Sequence, residues 1–80
     1  MSRSEILNVL REKVKDILFD VDENTITEEA SLKELGLNSI DRSDVLMDMC
    51  DELDIRISMI EFAGLKNIGE IISLFESKLN

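Results

Sequence analysis

Helix-start signals recur along this chain. Ser2 with Glu5, Ser31 with Glu34, Ser58 with Glu61 and Asn67 with Glu70 each set a short capping side chain three residues ahead of a glutamate. In that spacing the first side chain can accept from one orphan amide while the glutamate reaches back to another, so each pair marks where a helix or helical turn begins. After the first signal, Ile6, Leu10, Val14, Ile17 and Leu18 recur at helical intervals, which predicts a helix from about Ser4 to Phe19. A second helix is predicted from Ser39 to about Leu53, with Val45, Leu46, Met49 and Leu53 on one side. Ser58 opens a short helix ending near Phe62, and Asn67 opens a last one carrying Ile68, Ile71, Ile72, Phe75 and Leu79.

Between these elements the sequence reads as connections. The stretch DVDENTITEEA breaks the periodicity with Asp, Asn and Thr, which favour side-chain-to-backbone bonds. It is read as a long loop with Val21 and Ile26 as inward anchors. Gly36 ends a short turn begun at Ser31, and Gly64 separates the last two helices. DIRIS alternates like a strand but is short and caught between helices, so it is read as a connection. The expected architecture is all-α, a small four-helix bundle of three longer helices and one short helix in a single domain spanning residues 1–80.

An 80-residue chain buries only about 60 to 65 per cent of its unfolded surface, which leaves room for one compact core. Its 44% hydrophobic content argues against disorder despite 34% charged residues. There is no histidine, so a Ser/His or Cys/His catalytic pair cannot be assembled. No catalytic residue and no enzymatic activity are expected. Eighteen acids against nine bases give a formal charge of -9, a field that repels nucleic acid and anionic lipid and suits basic protein surfaces. The lone Cys50, with neither a signal peptide nor a long apolar run, points to a reducing cytoplasmic setting and a monomer without a membrane span.

The segment GLNSIDRS then raises a question about Ser39, which stands at the predicted start of the second helix. It can be a nucleophile, a helix cap or an attachment point. The nucleophile reading fails because the GxSxG elbow is absent and no base is available. The cap reading is the ordinary one, with Asn38 competing for the same role. If Asn38 wins, the Ser39 hydroxyl is freed in the first turn, where a phosphate ester would meet the positive end of the helix dipole.

Asp41, Asp44, Asp48, Asp51 and Glu52 fall opposite the apolar stripe, and Arg42 is the single cation between Asp41 and Glu52. Such a face lacks the alternating pairs that offset like-charge repulsion. It reads either as a solvated exterior or as a docking surface that steers basic partners. Ile40 and Met47 lie at its border, as scattered exposed residues or as a small apolar grip for a partner. Cys50 reads as a buried, inert thiol. Asp20, Asp22 and Asn24 match the first, third and fifth positions of an EF-hand loop, but Thr25 and Ser31 stand where glycine and a bidentate glutamate are needed, so no metal site is expected.

At LGLNSIDRSDV the chain resembles the acyl carrier protein family, and the likeness runs over essentially the whole sequence. The resemblance implies that Ser39 carries a 4′-phosphopantetheine arm installed by a phosphopantetheinyl transferase, with acyl groups held as thioesters on the arm's thiol. It also implies partner enzymes, namely an acyltransferase and a ketosynthase or HMG-CoA-synthase-like enzyme. By similarity Ile40 and Met47 match apolar contact positions, while Asp41, Asp44, Asp48 and Asp51 match the acidic recognition surface. Asn38 replaces the family's usual aspartate and Arg42 adds a cation, marking Arg42 as a candidate specificity element. NSIDRSDV with IEFAGLKNIGEI is similar to discrete carriers of polyketide pathways, in particular donors of acetyl groups in β-branching.

Overall fold

A computed structural model describes residues 1–79. Four α-helices, α1 (Arg3–Ile17), α2 (Ser39–Glu52), α3 (Met59–Phe62) and α4 (Ile68–Leu79), are joined by loops, one of which holds a 3-10 turn at Glu23–Thr25. The fold is therefore all-α, and the described residues contain no strand.

The capping pairs explain where most of these elements begin. Ser2 Oγ accepts from the Glu5 amide at 3.2 Å, and Glu5 Oε1 accepts from the Ser2 amide at 2.9 Å. Glu61 reaches back to the Ser58 amide at 3.1 Å to start α3. Ahead of α4, Asn67 Oδ1 accepts from the Glu70 amide at 2.9 Å, while the Glu70 carboxylate takes the amide of Lys66 instead of that of Asn67.

α1 stops at Ile17, short of the expected Phe19. Leu18 still donates to the Val14 carbonyl, but its backbone has left the helical region, and a turn closes where the Val21 amide donates to the Leu18 carbonyl. That turn sets Val21 against the core and leaves Phe19 82% exposed. α2 likewise closes at Glu52, with Leu53 as its cap residue. Asp54 then takes a positive φ of 52°, and the Ile55 amide donates back to the Cys50 carbonyl, a left-handed helix stop usually given to glycine. In the following DIRIS connection Ile57 is buried and Ile55 packs on the core, which accounts for its strand-like alternation.

The core gathers one stripe from each long helix. Ile6, Leu10 and Val14 of α1, Val45 and Met49 of α2, and Ile68, Ile72 and Phe75 of α4 are fully buried, together with Ile26 from the long loop. Phe62 of α3 joins them, its ring 5.6 Å from that of Phe75 and tilted by 43°.

The long loop is tied down rather than free. Asp22 caps its 3-10 turn by accepting from the Asn24 amide. Farther on, the Ala30 and Glu28 carbonyls accept from the Ile68 and Gly69 amides at 2.8 Å, satisfying donors at the start of α4. Arg3 spans the same seam: its guanidinium donates to Glu28 at 2.6 Å, Glu76 at 3.0 Å, Ser73 Oγ at 2.9 Å and the Gly69 carbonyl at 3.0 Å.

Candidate functional site

The loop that leads into α2 is shaped by local bonds. Ser31 Oγ accepts from the Glu34 amide at 3.0 Å, Gly36 takes a φ of 109°, and the Leu37 amide donates to the Leu32 carbonyl. Only a glycine adopts that backbone without strain. The reversal buries Leu32 and Leu37 on either side of it and delivers Asn38 and Ser39 to the surface.

The competition for the cap goes to Asn38. Its Oδ1 accepts from the Asp41 amide at 2.8 Å, and its backbone is extended at φ −76° and ψ 177°. Ser39 is thereby the first residue of α2, exposed, with its hydroxyl relieved of capping. An exposed primary alcohol at that point stands in the first turn, where a helix leaves amides without intrahelical partners, a setting that accommodates an anionic substituent.

Around Ser39 the predicted residues separate into distinct environments. Ile40 is 71% exposed and Met47 46% exposed, so both are available to a partner. Asp44, Asp48 and Asp51 are exposed along the same helix, whereas Asp41 is half-buried. Glu52 pairs with Lys13 of α1 at 2.6 Å, a bond that raises the Lys13 pKa and takes Glu52 out of the free acidic row. Arg42 does not project freely outward. It is half-buried, and its Nη1 donates to the Leu37 carbonyl at 2.8 Å, pinning the approach loop to the first turn of α2.

Arg42 also forms part of the wall of a small cavity of about 130 Å³, shared with Leu46, Phe62, Leu65 and Ile71. Neither this cavity nor the exposure of Met59 (38%) and Ile60 (78%) on α3 was foreseen from the sequence. The dense apolar run SMIEF held the signal for α3: so short a helix buries Phe62 alone, leaving its other apolar side chains in solvent. Cys50 is buried, and that burial pushes its thiol pKa up, with Asp51 adding to the effect, as expected of an inert thiol. In the EF-hand-like segment Asp22 is engaged with the Asn24 amide, and the described residues hold no cluster of three side chains able to ligate a metal.

The sequence model for phosphopantetheine attachment sites matches residues 8–75. The chain belongs to the acyl carrier protein family. It is 32% identical, over 99% of its length and 96% of the relative's, to the polyketide biosynthesis acyl-carrier-protein AcpK of Bacillus subtilis. It is 37% identical to the acyl carrier protein of Thermotoga maritima, over 98% of this chain and 96% of that one. Among solved structures it superposes with a TM-score of 0.87 and 33% identity on a chain from the curacin-pathway HMG synthase in complex with acetyl donor-ACP, covering 98% of this chain and 100% of the other. The prosthetic group of this acyl carrier protein is 4′-phosphopantetheine. The exposed, uncapped first-turn alcohol suits esterification by such a phosphate. The group supplies the thiol chemistry, and the protein supplies placement. No helix among the described residues is long and apolar enough to cross a membrane.

Proposed function

We propose that Ser39 bears the arm and that residues 1–80 act as one carrier domain in a cytoplasmic polyketide pathway, presenting acetyl units to an HMG-CoA-synthase-like enzyme for β-branching. The observation that carries this reading is the division of labour at the start of α2. Asn38 makes the cap bond, and Ser39 stands beside it with its hydroxyl exposed. Similarity to AcpK supports the pathway, and similarity to the acetyl donor seen with HMG synthase supports the partner.

The carrier's own contribution is delivery. A thioester on a tethered arm reaches a docked enzyme at an effective concentration set by arm length, with no new contact to the acyl group. The exposed carboxylates Asp44, Asp48 and Asp51 steer basic enzyme surfaces, and Ile40 and Met47 give an apolar grip beside them. Such rim charges favour rapid, exchangeable encounters, which suit a shuttle visiting a transferase, an acyltransferase, a ketosynthase or an HMG-type synthase. With no histidine in the chain, bond-making falls to those enzymes.

Comparing partners directly tests the assignment. Acetyl-loaded protein should serve a β-branching HMG-type synthase in preference to a fatty acid ketosynthase, and Asp44→Lys should weaken that docking most at low salt. Equal service to both enzymes would remove the β-branching assignment.

A further inference from the structure

Arg42 is the one cation in α2, a helix that also carries Asp41, Asp44, Asp48, Asp51 and Glu52. None of those acids holds it. Its single side-chain hydrogen bond among the described residues runs from Nη1 to the Leu37 carbonyl. The contrast with Arg3, which spreads its donors over four acceptors, is informative. A guanidinium has five N–H donors, so most of the Arg42 fork is uncommitted although the side chain is half-buried.

Its placement follows from helix geometry. Residues three apart on a helix are neighbours, with Cβ atoms about 5 to 6 Å apart, so Arg42 lies one turn below Ser39 on the same face. Long helical side chains lean toward the N-terminus, and the bond to Leu37, which precedes Ser39 by two residues, shows this one doing so. The carbonyl tether also restricts the side chain before any ligand arrives, which lowers the ordering cost of a second contact.

We propose that Arg42 binds the phosphodiester of the pantetheine arm, fixing the arm where it leaves Ser39. Attachment adds a negative charge to the first turn of a helix that already carries five acids, and Arg42 is the only cationic side chain of α2 able to offset it. The planar guanidinium matches paired phosphate oxygens in a way a lysine ammonium does not. Neutral Asn38 ahead of the serine spares the same phosphate a further repulsion. The inference rests on Ser39 as the attachment point and deepens that reading.

Phosphorus-31 NMR on protein loaded from coenzyme A by a phosphopantetheinyl transferase tests it, with intact mass measured first. The expected result is a phosphorus signal relaxing with the whole protein in wild type, and a sharper, shifted signal in loaded Arg42→Met, with Arg42→Lys between them. The same linewidth and shift in wild type and Arg42→Met, with the mass gain absent in Ser39→Ala, would overturn the Arg42 assignment alone. No mass gain in wild type, or a gain that survives Ser39→Ala, would overturn both readings. Should Arg42→Met fail to fold, the wild-type Arg42 Nε–H resonance decides: displacement on loading supports the contact, and an unmoved resonance refutes it.

Discussion

Replacing Asn38 with alanine removes the oxygen that accepts from the Asp41 amide at 2.8 Å. Loss of an N-cap side chain costs about 1 kcal/mol, within a range of roughly 0.5 to 2. A domain of this length has a total stability of roughly 4 to 12 kcal/mol, so the loss is a considerable share. It corresponds to a fall in melting temperature of about 4 to 8 °C. Ser39→Ala should behave differently, because Ser39 lies inside the helix and does not cap it. Its expected effect is within about 0.5 kcal/mol of zero, as for other exposed substitutions. Urea unfolding followed by circular dichroism, with the midpoint and slope compared for both variants, separates the two. A larger loss for Ser39→Ala than for Asn38→Ala would mean that the serine caps α2, and the reasoning that frees its hydroxyl would be wrong.

Three further substitutions test the scaffold. Phe75→Ala empties a fully buried position against Phe62 and should cost about 3 to 5 kcal/mol, seen in calorimetry as a large fall in melting temperature; an unchanged melting transition would deny that core contact. Gly69→Ala would ordinarily gain helix propensity, but a Cβ there would sit 3.2 Å from the Glu28 carbonyl oxygen that accepts the Gly69 amide. It is therefore expected to lower the melting temperature and speed hydrogen exchange at residues 68 and 69, and a higher melting temperature would contradict that. The Arg3 bond holds the Glu28 carboxyl below its ordinary pKa. A depressed folded pKa stabilises above the unfolded value and is lost as pH falls through the folded one. Glu28→Gln should thus flatten the decline of stability on the acid side of the usual glutamate range, and an identical acid limb in both proteins would remove that linkage.

Local signals in the sequence were strong enough to place all four helices. Val45, Met49, Ile68, Ile72 and Phe75 entered the core because their periodicity leaves no other face to bury. The helix ends were less legible. Phe19 looks like a continuation of the α1 stripe, but the turn that seats Val21 excludes it. The site was half legible. Ser39 and its neighbours follow from the motif, whereas the choice between Asn38 and Ser39 as cap depends on which oxygen meets the Asp41 amide, a matter of backbone geometry. Arg42 illustrates the limit best: from spacing it belongs to an outward acidic face, yet a carbonyl left by the Gly36 turn draws it back. The Arg3 cluster was invisible for a similar reason, since its partners lie 25 to 73 residues away in the chain.

The most direct test weighs the protein before and after treatment with coenzyme A and a broad-specificity phosphopantetheinyl transferase. Wild type should gain the mass of one phosphopantetheine and Ser39→Ala none, while Asn38→Ala, whose serine is intact, should still be loaded. An unmodified wild type, or an equal gain in Ser39→Ala, would contradict the central claim that this alcohol is the attachment point.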